Sequence, residues 1–155
     1  MATETQIAIV QETWAGITAS IDNKTVGTIL FKHLFKTTPA ATAIFPFAEA
    51  YNGGRHTAED MYASPRFLSH AVKVVSAVNL AVTYLKDLPT LVPILQSLGQ
   101  KHVAYGVVTE HYDLVGGALI ATLVDALGEK WTVDVKEAWL AIWGLLRSTM
   151  DPDAN

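Results

Sequence analysis

Apolar residues return at three- and four-residue steps along nearly the whole chain, and this period restricts it to helices. Ile7, Val10, Trp14 and Ile17 form the first stripe, with Thr3 and Gln6 placed ahead of it as a capping box. Val26, Ile29, Leu30, His33 and Leu34 form a second stripe, over about 23–36. Thr37-Thr38-Pro39 stops it, and Pro39 suits the first turn of a short helix capped by Thr38 and running to about Phe45. Between Pro46 and Ala63 the pattern dissolves around the turn signal Asn52-Gly53-Gly54. Ser64-Pro65 then opens a helix whose stripe is Phe67, Ala71, Val74, Val78 and Val82. Leu88-Pro89-Thr90-Leu91-Val92-Pro93 reads as a loop leading into a helix that ends near Tyr105-Gly106. Thr109 is placed to cap a helix through Leu127, which Gly128 stops. Thr132 is placed to cap the last, with Ala138, Trp139, Ile142, Trp143, Leu145, Leu146 and Met150 inward. No run alternates as a strand does, and no repeat is visible. The expectation is an all-α fold of seven to eight helices. An up-down four-helix bundle needs fewer and longer ones, so these helices pack around something else.

Composition narrows what that something is. The chain has 155 residues, the length of one domain, and residues 1–155 are expected to form one. Half are apolar and 17% charged, against about 25% in an ordinary soluble protein. The surplus either fills a generous core or lines a pocket. A net charge of −4 without a basic run offers no surface for nucleic acid. The absence of cysteine excludes disulfides, thiolate metal sites, cysteine nucleophiles and the C-x-x-C-H attachment of a covalent haem. Apolar runs are interrupted well short of the ~20 residues that cross a membrane. The first residues lack the basic and apolar regions of a secretory leader, so a cytoplasmic location is expected.

The chemistry rests on histidine. H-E-x-x-H, Glu-x-x-His, G-x-G-x-x-G, the P-loop and G-x-S-x-G are all missing. Among His33, His56, His70, His102 and His111, His70 and His102 differ from the others. His70 lies three residues after Phe67 and four before Val74, and His102 follows Leu95 and Leu98 at the same steps. A buried imidazole needs partners for its nitrogens. One metal centre shared by the two rings supplies them, and so does a backbone carbonyl for each; spacing does not choose. His33 suits packing between helices, His56 a solvated loop, and His111 a structural place in a first turn.

Five ordered segments together resemble the globins, most closely the neuroglobin-like branch, over about residues 5–150. Val26-Gly-Thr-Ile-Leu-Phe-Lys-His-Leu-Phe-Lys-Thr-Thr-Pro39 is similar to the second helix of globins and its turn. Phe45, after Ile44, stands where globins place the phenylalanine that stacks on haem. Ser64-Pro-Arg-Phe-Leu-Ser-His70-Ala-Val-Lys-Val74 is similar to the distal helix, and Ser97-Leu-Gly-Gln-Lys-His102-Val-Ala-Tyr-Gly-Val-Val108 to the proximal helix and its exit. Lys136-Glu-Ala-Trp139 with Trp143 resembles the final helix. The resemblance implies a non-covalent haem b with His102 as proximal ligand, its other ring nitrogen donating to a backbone carbonyl. It implies His70 as distal residue, bonding a diatomic gas or taking the sixth iron position itself. Phe31, Phe45, Val74, Leu98, Val107 and Tyr112 match pocket positions, and Lys73 matches the lysine that pairs with a propionate.

Reversible gas binding is the function this implies. Nitric oxide dioxygenation is a second reading, and it requires an external reductase, because nothing after Met150 has room for a flavin domain. Haem-based electron transfer or redox sensing is a third. There are departures from the family pattern. The interval from Phe45 to His70 is a few residues longer than in neuroglobins, and the lack of cysteine removes the loop disulfide of some relatives. Tyr112 carries a hydroxyl where the family pattern has a plain aromatic ring.

Overall fold

The structure is a computed structural model that describes residues 2–49 and 58–151. The expected turn at Asn52–Gly54 and the histidine at 56 lie outside these residues. Among them are eight α-helices and no strand: α1 (Glu4–Ser20), α2 (Asn23–Thr37), α3 (Pro46–Glu49), α4 (Ala58–Ala63), α5 (Pro65–Thr83), α6 (Leu88–Ala104), α7 (Thr109–Leu127) and α8 (Val133–Met150). The expected all-α architecture of seven to eight helices is borne out among these residues.

Helix starts follow local side-chain chemistry. Thr3 and Gln6 form the anticipated box: the Thr3 hydroxyl accepts from the Gln6 amide at 3.1 Å, and the Gln6 side chain accepts from the Thr3 amide at 3.0 Å. Ser64 accepts from the Phe67 amide, and Thr132 from the Val135 amide, as their positions predict. Three boundaries differ. The segment after Thr38 is a 3-10 helix, Pro39–Ile44, and the Thr38 side chain does not cap it. Thr109 is the first helical residue, not the cap; the start is closed by the His111 ring, which accepts from the Val108 amide at 3.2 Å. The structural role expected of His111 is thereby borne out. The largest difference is at 88–93, where an expected loop is helix. Asp87 accepts from the Thr90 amide and hydroxyl, Pro89 sits in the first turn where its missing N–H is no loss, and only Pro93 breaks the ladder. Burial of Leu91 and Leu95, 0% and 4% exposed, outweighs that one lost bond. Likewise α3 and α4 occupy parts of 46–63, too short to show a period.

The helices pack in crossing pairs: α2 against α5 and α7, α1 and α6 against α8. Trp14 and Trp139 meet edge to face at 5.9 Å between α1 and α8, and the Trp139 indole donates to Thr13 at 3.0 Å. The α2–α5 crossing is close. A Cβ on Gly27 would come within 2.6 Å of the Ala71 carbonyl oxygen, so only glycine lets α5 lie this close. Gly99 plays the same part where α6 meets the backbone of Met150. By contrast α5 and α6, though joined by a short turn, hardly touch one another. No described helix is long and apolar enough to cross a membrane alone.

Candidate functional site

α5 and α6, which make few contacts with one another, each carry one of the two histidines. Ser64 starts α5 so that Phe67, Ala71 and Val75 are buried, and the three-residue step from Phe67 carries His70 to the edge of that stripe. Leu91, Leu95 and Gly99 hold α6 inward, and His102 stands in its last turn. Both rings are half-buried. Burial pushes the His70 imidazole below its ordinary value, and positive charge on Lys73 and His102 adds to this; burial alone lowers His102. His102 is therefore near enough for its charge to be felt at His70, and both rings favour the neutral form that can donate a lone pair.

His70 sits among phenyl rings. Its centroid is 5.5 Å from Phe31, 5.5 Å from Phe45 and 5.1 Å from Phe47. Among the described residues nothing hydrogen-bonds its ring nitrogens. Phe31, 1% exposed, is the hub of the group, touching Phe35, Phe45, Phe47 and Phe67. Phe45 and Phe47 stack at 5.4 Å with 28° between their planes. Phe47 is the residue that sequence reasoning passes over. It lies where periodicity has dissolved, and its only signal is the Phe-Pro-Phe spacing that puts Phe45 and Phe47 on one side of a bend.

His102 has a polar partner instead of an aromatic cage. Its Nδ1 lies 3.2 Å from the Tyr112 hydroxyl, and the rings meet edge to face at 5.8 Å. The resemblance implies a backbone carbonyl in that place; the hydroxyl that departs from the family pattern takes it instead. Tyr112 is 6% exposed. Burial, and then the charge of Asp151, raise its pKa and keep the hydroxyl protonated. The turn after α6 is closed by the Val107 amide donating to the His102 carbonyl at 2.9 Å, with Gly106 at φ +84°.

The remaining expected residues divide. Val74, Leu98 and Val107 are half-buried and pack at the margin of the core. Lys73 is exposed and lines, with Phe47, Pro65, Arg66, Ser69 and His70, an open cleft of about 470 Å³. His33 lies away from the site, its Nε2 joined to Asp125 across the α2–α7 contact, in keeping with packing between helices. No group of three or more His, Asp or Glu converges as a metal site among the described residues.

The sequence matches the globin family profile over residues 28–150. It is 37% identical to neuroglobin of Danio rerio over 124 residues, which cover 80% of this chain and 76% of that protein. It is 33% identical to neuroglobin-1 of Oncorhynchus mykiss over 148 residues, covering 96% of this chain and 89% of the other. The helical architecture, the paired histidines and these relatives agree: the chain belongs to the globin family, as a neuroglobin-like haem globin with a gas as its ligand.

Proposed function

We propose that residues 1–155 form a single globin domain that holds haem b non-covalently between His102 and His70 and binds a diatomic gas reversibly. The observation that carries this is the placement of one half-buried imidazole on α5 and one on α6, two helices with few contacts between them. The donor set fits the group. A protein-only metal site needs three or four ligands, whereas two imidazoles suffice when a porphyrin fills the other positions. The half-buried Phe45, Val74, Leu98 and Val107 offer the apolar rim that a flat macrocycle needs.

Haem supplies an iron atom to which a gas binds reversibly. His102 is the permanent ligand, held by the last turn of α6 and by Tyr112. His70 would be the second protein residue to hold the iron when no gas is bound, its ring kept in place by the phenyl rings around it. A gas would have to displace His70, so the apparent gas affinity would be scaled by the fraction of time the position is open. Phe31, Phe45 and Phe47 hold its ring by contact alone and exclude water. Lys73 offers a cation at the cleft mouth, suited to a propionate.

The absorption spectrum of the ferrous, gas-free protein tests this. A six-coordinate, low-spin spectrum is expected, becoming five-coordinate in His70→Leu. His102→Ala should lose haem. An unchanged His70→Leu spectrum removes His70 from the iron, and a colourless folded protein that takes up no haem overturns the reading.

A further inference from the structure

The strongest unassigned feature is the hydroxyl of Tyr112. We propose that Tyr112 is the positioning residue of the proximal side: its oxygen accepts the Nδ1 proton of His102, fixing the tautomer and the angle of that ring. The inference rests on His102 being the iron ligand, as proposed above.

The argument is one of proton placement. An imidazole that binds iron through Nε2 must present a lone pair there, so its remaining proton is on Nδ1. A half-buried Nδ1–H needs an acceptor. Among the described residues the Tyr112 oxygen, 3.2 Å away, is the one group bonded to it. The His102 carbonyl is engaged elsewhere, accepting from the amides of Tyr105 and Val107. Tyr112 is itself well fixed for the task. It lies in the first turn of α7, and its ring is 6% exposed. A backbone carbonyl of α6 would move with His102, whereas Tyr112 ties the ring to a second helix. The acceptor also differs in kind. A neutral hydroxyl oxygen keeps two lone pairs free to accept while its own proton points elsewhere, so it takes the Nδ1–H bond without giving up its donor.

Tyr112→Phe removes the hydroxyl and keeps the ring. With the haem-loaded protein, two quantities are read: the rate at which ferric haem passes to an excess of a haem-free acceptor globin, and the midpoint potential of the iron. Removing an outer partner of a metal-bound histidine typically weakens metal affinity about 10- to 100-fold, so haem loss should accelerate by a factor in that range. The potential should rise, because an imidazole with an unpolarised Nδ1–H is a poorer donor to ferric iron. Faster haem loss at an unchanged potential assigns only packing to Tyr112 and overturns the inference. So does a variant identical to the parent in both. His102→Ala separates this from the larger reading: if it loses haem while Tyr112→Phe changes nothing, only the role of Tyr112 fails. If His102→Ala retains haem, both fail.

Discussion

Gly27→Ala puts the packing logic of the site under a single methyl group. The new Cβ would lie 2.6 Å from the Ala71 carbonyl oxygen and 2.8 Å from the Ala71 Cβ, where ordinary contact begins at 3.4 Å. Both obstacles belong to or adjoin the α5 backbone, so no rotamer change relieves them. The two helices must separate. Overpacking costs about 1–3 kcal/mol, and a clash with backbone belongs at the upper end. Alanine recovers about 1 kcal/mol through its better helix propensity. The net loss is about 2 kcal/mol, which for a chain of this size lowers the melting temperature by about 4–8 °C. Gly16→Ala is the matched control, since a Cβ there meets nothing within 4 Å. It should be neutral or stabilising by up to about 1 kcal/mol. Thermal unfolding of both variants at equal haem content measures the difference. Because His70 precedes Ala71 on α5, a displaced helix should also raise the five-coordinate fraction in the ferrous spectrum. A Gly27→Ala protein that melts at or above Gly16→Ala refutes the claim that this crossing is sterically closed.

Three further outcomes follow from the same structure. Phe31→Ala, at a residue 1% exposed and central to the aromatic group, should cost about 3–5 kcal/mol in denaturant unfolding; a loss below about 1 kcal/mol would mean the rings do not depend on it. The haem-free protein should lose stability as pH falls below about 6.5, because the lowered pKa values of His70 and His102 let the unfolded chain bind more protons than the folded one. Melting temperatures between about pH 8 and about pH 5 should flatten in a His70→Leu, His102→Leu double variant, and an equally steep fall there refutes the assignment. Asp113→Asn breaks a 3.0 Å pair with Arg147 whose side chains are 62% and 28% exposed, so it should change stability by less than about 1 kcal/mol; a shift in melting temperature above about 4 °C would contradict this.

The helices were legible because burial on one side imposes a period, and the period survives wherever a helix is long. It fails where other forces set the structure. Between 88 and 93 two prolines argue for a loop, yet one sits where its missing donor is harmless, and two buried leucines draw the other into helix. The four residues of α3 and six of α4 are too few to show any period at all. Gly27 illustrates a different blindness. A glycine inside a helix reads as a modest weakness, and only the approach of α5 reveals that a side chain there has no space.

The site divides along the same line, between what one segment can express and what needs two. His70 and His102 stand out individually, since each interrupts an apolar stripe that has no other polar member nearby. Their proximity is not a property of either stripe; it arises because α5 is placed by α2 and α6 by α8, with few contacts between the two. The role of Phe47 and the partner of the Tyr112 hydroxyl are hidden for the same reason. Phe47 gains its meaning from His70, contributed by another helix, and Tyr112 from His102. Tyr112 nevertheless stands out in the sequence as a departure from the family pattern, a polar atom added at a pocket position. A buried hydroxyl has to bond to something, so such a departure locates a new interaction even before its partner is known. The two sides of the site are thus held by opposite means. His70 is confined by rings that offer no hydrogen bond, and His102 is tethered through one. A ligand that must leave when a gas arrives is suited by the first arrangement, and a ligand that must stay is suited by the second.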